Sequence, residues 1–269
     1  MHLALIGYGN IGRETANLLS SRPVEKLTVL VRSSAVVPVL QDPALRTAAT
    51  SVEVTDDLET LVTAAPDLTI ECAGQEAVAR YAPALLTAAR TVLIVSTGAL
   101  ADQNLSDRLR AAAEDGGGRL ILPSGAIGGI DLLSALTLSG NMELQYIATK
   151  PPAAWRDTSA EEVCDLSALQ EPCAFFRGNA RTAAQRYPKN ANVAATLALA
   201  GPGFESTQVT LVADPNASGN MHAYEVDCPA GRFSMQIENA PSAGNAKTSL
   251  ATVYSVLREI NRLRDRVTI

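Results

Sequence analysis

The feature that most restricts the fold is Gly7-Tyr8-Gly9-Asn10-Ile11-Gly12, a GxGxxG run that follows an apolar stretch at residues 3–6 and opens a helical pattern at residues 11–19. A strand that turns through such glycines into a helix begins a βαβ unit. The first glycine permits the tight turn, the second lets backbone approach a pyrophosphate, and the third lets helix and strand pack closely. The helix N-terminus, with N–H groups that lack intrahelical partners, favours an anion at the same place. Gly7, Gly9, Asn10, Ile11 and Gly12 are therefore candidate contacts to a dinucleotide. Alone the run is a weak signal, and its weight comes from its position after a strand and before a helix.

The first half of the chain continues that rhythm. Short apolar runs at 27–31, 68–71, 92–95 and 120–122 read as strands, with helical spacing at 77–89 and 105–113 between them. This predicts an α/β fold whose N-terminal part is a doubly wound parallel sheet, the Rossmann arrangement. From residue 144 the pattern changes. A strand is expected at 144–149, helices at 180–187 and 192–200, and period-two alternation at 208–212, 222–226 and 232–237 predicts an antiparallel meander. Leu250, Val253, Leu257, Ile260 and Leu263 then share one helical face, so a C-terminal amphipathic helix is expected to return to the first domain. The expected division is 1–126 with 240–269 for dinucleotide binding, and 127–239 for a second α+β domain with a largely antiparallel sheet.

Composition narrows the function class. With 22 Lys and Arg against 28 Asp and Glu, the net charge of -6 provides no basic field for nucleic acid or an anionic membrane, which leaves a small-molecule substrate as the expectation. The 47% hydrophobic content is ample for packed cores. No run approaches the about 18 apolar residues of a membrane span, and no signal-peptide pattern precedes the first strand. Cys72, Cys164, Cys173 and Cys228 form no CxxC pair, so neither a metal site nor a disulfide framework is expected and reduced thiols in a cytoplasm are the default.

An NAD-selective Rossmann domain usually carries Asp or Glu about 20 residues past the fingerprint. Here the second strand ends in Val31-Arg32-Ser33-Ser34. Nothing repels a 2′-phosphate, and Arg32 either pairs with one or faces solvent, so both NAD and NADP are expected as cofactors. Three further segments sit at strand ends, where open α/β sheets bind ligands: Cys72-Ala73-Gly74-Gln75, Ser96-Thr97-Gly98-Ala99 and residues 124–129, which include Ala126. Ala73, Gly74, Thr97 and Ala126 are candidate cofactor contacts, with ordinary βα turns as the alternative.

The reacting groups are few. His2 precedes the first strand, which leaves His222 as the histidine candidate for acid/base work, with a hydrogen-bonded structural role as its alternative. Cys72 at a strand end lacks any context marking an activated thiol. Lys150, before Pro151-Pro152, and Lys189, in Pro188-Lys189-Asn190-Ala191-Asn192, are the cations best placed to meet an anionic substrate, with ordinary solvated surface lysines as the alternative.

Taken together, GYGNIG, ECAGQEAV, VSTGAL, LPSGAIGGIDLL, TKPP, PKNANVAAT, GNMHAYEV and NAKTS resemble the L-aspartate dehydrogenases almost end to end. The resemblance implies oxidation of L-aspartate to iminoaspartate with NAD or NADP, or reductive amination of oxaloacetate with ammonia, a place feeding pyridine nucleotide synthesis, and a homodimer. It implies that His222 is the catalytic acid/base, that Ala126 and Asn192 contact the dinucleotide, and that the second sheet serves catalysis and dimer contact. Two other readings stay open: a related Rossmann dehydrogenase or reductase acting on another dicarboxylate or a cyclic imine, and a dinucleotide-sensing module without turnover.

Overall fold

The computed structural model describes residues 1–242 and 245–268, except the side chains at 189 and 245–247. The chain divides into two units, Met1–Pro123 with Thr252–Ile269, and Ser124–Ala251. The divisions anticipated from sequence were at 126/127 and 239/240.

In the first unit the strands are β1 (His2–Ile6), β2 (Val24–Leu30), β3 (Ala49–Thr55), β4 (Leu68–Glu71), β5 (Thr91–Ile94) and β6 (Arg119–Ile121). They lie in the order β3-β2-β1-β4-β5-β6, every neighbouring pair parallel. This is the doubly wound order, with its reversal between β1 and β4, the place where such sheets take ligands. The helices are α1 (Asn10–Leu19), α2 (Val36–Leu40), α3 (Pro43–Ala48), α4 (Leu58–Ala64), α5 (Gln75–Thr87) and α6 (Gln103–Gly116). Leu3, Leu5, Leu27, Val29, Leu68, Ile70 and Leu93 form a core that α1 joins through Ala16 and Leu19. Strand β3 escapes a pattern search because it is an edge strand whose residues are mostly only half-buried, so little apolar alternation is required of it.

The second unit contains α7 (Ile130–Thr137), β7 (Glu143–Lys150), β8 (Cys173–Asn179), α8 (Ala180–Arg186), α9 (Asn192–Ala200), β9 (Thr207–Ala213), β10 (Asn220–Cys228), β11 (Gly231–Asn239) and a two-strand ladder of β12 (Pro241–Ser242) and β13 (Asn245–Ser249). Its main sheet runs β11-β10-β7-β9-β8. The expected meander is corrected here: β10 and β11 form a hairpin, but β7 lies between β10 and β9, and β7 pairs with β9 in parallel. Period-two alternation reports that a strand has a buried face; it does not report which neighbour it pairs with. Leu144, Tyr146, Ala148 and Lys150 of β7 share the buried face with Asn220, His222, Tyr224 and Val226 of β10.

Helix α10 (Leu250–Arg264) ends the chain, and its Val256 and Ile260 are wholly buried in the first unit's core. The cysteine expectation is also corrected. Cys164 and Cys173 form a disulfide with a Cα–Cα distance of 6.5 Å, while Cys72 and Cys228 are free. The pair closes the end of the β7–β8 connection, a spacing of nine residues that a search for CxxC does not register.

Candidate functional site

The first unit builds a cradle at the β1–α1 turn. Gly7 has φ +92 and donates its N–H to the Leu30 carbonyl at 2.9 Å. A Cβ there would lie 2.7 Å from the Ala73 Cβ, and one on Gly12 would lie 2.8 Å from the Gly7 carbonyl oxygen. A Cβ on Gly9 would meet nothing within 4 Å, so space is open where the second glycine of a dinucleotide fingerprint leaves room for pyrophosphate. No side chain caps α1. The Tyr8 hydroxyl beside these turns is buried without a hydrogen-bond partner among the described residues. Uncapped helix, open second glycine and orphaned hydroxyl together fit a dinucleotide.

Sequence reasoning passed over Glu71, the last residue of β4. It is 0% exposed and accepts from Ala73 N at 2.8 Å, Gly74 N at 2.8 Å, Ser96 N at 3.1 Å and Ser96 Oγ at 3.0 Å. The Ala73 and Gly74 N–H groups are thus committed to Glu71. Thr97, 2% exposed, follows Ser96. Arg32 is exposed just after β2 and ahead of a 3-10 turn at Ser33–Ala35. The Cys72 thiol contacts the Gly7 carbonyl at 3.3 Å, and burial pushes its pKa up, away from the thiolate a nucleophile needs. His2 bonds Thr28 Oγ1 at 2.9 Å, a structural contact at the far end of β1 from the glycine turn.

The second unit gathers a titratable cluster on the buried sheet face. His222, 3% exposed, sits opposite Ala148 of β7 and Ile237 of β11. Its Nδ1 lies 2.7 Å from the Tyr146 hydroxyl, which leaves Nε2 as the nitrogen not engaged by Tyr146. Lys150, 6% exposed, donates from Nζ to Asn190 Oδ1 at 2.8 Å, and the ammonium lies 5.1 Å from the centroid of the Trp155 ring. Trp155 is held by its Nε1–H to the Val212 carbonyl at 3.0 Å and by edge contacts with Phe175 and Tyr187. Burial lowers the Lys150 pKa to about 8. Burial first, then the Lys150 charge, lowers that of His222 to about 3. No carboxylate pairs with Lys150 among the described residues. A buried cation held only by a neutral amide and a ring face is incompletely compensated.

Two cofactor candidates also lie in this unit. Ala126 is 8% exposed and its carbonyl accepts from Asn239 Nδ2 at 2.9 Å, while Tyr224 donates to the Gly128 carbonyl at 2.9 Å, so the sheet pins residues 126–128. Asn192 is the first residue of α9 and Ala191 is its N-cap, so the capping role natural for an asparagine there is absent. The Lys189 side chain lies outside the described residues. Tyr146, Asn190, Tyr224 and Asn239 were not singled out from sequence; the signal for two of them was their placement in the PKNAN and GNMHAYEV segments. Among the described residues no group of His, Cys, Asp and Glu could hold a metal ion.

Residues 131–263 match the family model described as aspartate dehydrogenase, C-terminal, and residues 7–123 match one described as homoserine dehydrogenase, NAD binding domain. An L-aspartate dehydrogenase 2 of Bordetella pertussis is 44% identical, with 99% of this chain and 98% of that protein covered. An L-aspartate dehydrogenase of Pseudomonas aeruginosa is 40% identical, with 97% of this chain and 96% of that protein covered. The crystal structure of aspartate dehydrogenase from Thermotoga maritima superposes with a TM-score of 0.77 at 29% identity, covering 100% of this chain and 99% of that one. The first unit is an NAD-binding domain, and with full-length identity at this level the chain belongs to the L-aspartate dehydrogenase family.

Proposed function

We propose that the chain catalyses the NAD- or NADP-dependent oxidation of L-aspartate to iminoaspartate, and in reverse the reductive amination of oxaloacetate with ammonia. The observation that carries this reading is the buried Lys150 beside His222, with no carboxylate partner among the described residues. Such a site is complementary to an anion, and a dicarboxylate supplies the missing charge.

Gly7, Gly9, Asn10, Ile11 and Gly12 hold the pyrophosphate, Arg32 meets the ribose or its 2′-phosphate, and Ala73, Gly74, Thr97, Ala126 and Asn192 complete the dinucleotide contacts. Since the Ala73 and Gly74 amides serve Glu71 and the Gly74 carbonyl accepts from Ala77 N, these residues act by close packing, Gly74 through the open space where a side chain would stand. The bound nicotinamide supplies hydride acceptance. Lys150 and Lys189 bind the substrate carboxylates. Negative charge beside Lys150 opposes its depressing effect on His222 and raises the imidazole's proton affinity toward a useful range. His222, with Nδ1 oriented by Tyr146, takes the proton of the substrate ammonium through Nε2, which frees the nitrogen lone pair to form the C=N bond. In the reverse direction ammonia adds to the oxaloacetate carbonyl, the protonated imidazole donates to the resulting hydroxyl so that it leaves as water and the C=N bond forms, and once the imine is reduced a second proton is returned to the amine.

We infer further that the first unit serves cofactor binding and the second serves catalysis and dimer contact, in a cytoplasmic homodimer. The second sheet's face away from His222 carries Ile147, 45% exposed, in support of a subunit contact there. No helix among the described residues is long and apolar enough to cross a membrane. The deciding assay follows reduced cofactor with L-aspartate and NAD or NADP, and its consumption with oxaloacetate and ammonia. Turnover in both directions is expected. NADH binding without turnover of any amino acid identifies a sensing module instead, and activity confined to another dicarboxylate or a cyclic imine identifies a related dehydrogenase.

A further inference from the structure

Glu71 is a buried acid with no Lys or Arg pairing with it among the described residues, surrounded instead by donors from two loops. Its Oε1 takes the Ala73 and Gly74 N–H groups of the β4–α5 turn together with the Ser96 hydroxyl, and its Oε2 takes the Ser96 N–H at the end of β5. The contact reaches a third loop, because Ala73 fills the space against Gly7 that a Cβ would need. The turns following β1, β4 and β5 are thereby locked at the C-terminal edge of the sheet, on both sides of the switch point. Burial raises the Glu71 pKa while the same hydrogen bonds lower it. A carboxylate in this place costs desolvation that an apolar residue would avoid, so its presence calls for a geometric purpose.

We propose that Glu71 is a positioning residue of the dinucleotide site, fixing the Ala73–Gly74 and Ser96–Thr97 turns relative to the glycine fingerprint without itself touching cofactor. The proposal rests on the reading that the first unit binds NAD(H). Glu71→Gln tests it sharply, since the amide keeps an acceptor for Ala73 and Gly74 but sets an N–H donor against the Ser96 N–H. One buried hydrogen bond between the loops is left unmade, and the NADH dissociation constant is expected to rise at least about 5-fold. Ser96→Ala removes only the hydroxyl donor and is expected to raise it about 3-fold. Both are measured by NADH fluorescence titration well below the melting temperature, with circular dichroism alongside and the aspartate KM taken at saturating cofactor.

A weakened NADH constant with unchanged dichroism and an aspartate KM within about 2-fold of the parent supports positioning. A lowered melting temperature with NADH affinity within about 2-fold makes Glu71 purely structural and overturns the proposal. Should Glu71→Gln fail to fold, Ser96→Ala decides, and an unchanged NADH constant there overturns it equally. A parent that itself does not bind NADH removes the cofactor reading, an outcome distinct from failure of the Glu71 role.

Discussion

Glu71 in the first unit and Lys150 in the second are both almost wholly buried, and the fold treats them in opposite ways. Both oxygens of Glu71 are occupied, by the main chain of two loops and one hydroxyl. Lys150 has one neutral amide oxygen and one aromatic face. A buried charge with its hydrogen-bonding capacity filled acts on the geometry around it, whereas one left partly unfilled stores an affinity for whatever completes it. On the proposed reading the first unit shapes a site by fixing loops, and the second shapes one by withholding a counter-ion.

Substitution at His222 makes the largest break between the units. His222→Asn keeps a polar side chain but cannot titrate near neutral pH. Turnover with L-aspartate is expected to fall at least about 100-fold, roughly 3 kcal/mol of transition-state stabilisation. NADH affinity, to which His222 is assigned no contact, stays near the parent's value. A loss below about tenfold at the optimal pH returns His222 to a structural role.

Arg32 tests the first unit alone. Arg32→Asp places a negative charge where the 2′-phosphate is proposed to lie and should shift the ratio of kcat/KM values toward NAD by about tenfold. The aspartate KM should not follow. An unchanged ratio removes this exposed arginine from the site.

Stability against pH tests the burial of His222 directly. Folding lowers the His222 pKa from 6.5 to about 3, so between these values the unfolded chain binds more protons than the folded one. This group's contribution to stability is therefore lost as pH falls from about 6.5 toward 3. The melting temperature of the parent should drop across that window more steeply than that of His222→Asn, which retains the contributions of His2 and Asp165, both lowered, and of Glu71, raised. Parallel curves mean that His222 is not held neutral.

The two units also differ in how much of them the amino-acid order reveals. The glycine turn, its flanking strand and its helix are adjacent in sequence, so steric rules for glycine and the period of apolar residues expose them locally. The cluster in the second unit is assembled over long separations: Tyr146 meets His222 across 76 positions, and Lys150 meets Asn190 across 40. The first of those contacts depends on β7 standing beside β10, a neighbour that alternation alone did not give it. His222 and Lys150 were visible as residue types able to do the chemistry, while the groups that tune them were not. Glu71 was hidden for another reason, since an acid at the end of an apolar strand looks like a solvent-facing boundary until its donors are seen.

The central claim is that Lys150 is a buried cation waiting for a substrate carboxylate, and the most direct test is the steady-state KM for L-aspartate in Lys150→Met, with NADH affinity measured on the same preparation. Methionine preserves much of the volume and apolar stem while removing the charge. Loss of a desolvated charge contact worth about 2 kcal/mol predicts a KM raised at least about 30-fold with NADH binding unchanged. A KM within about twofold of the parent would contradict the account, since Lys150 would then be buried for the sake of the fold and not for the substrate.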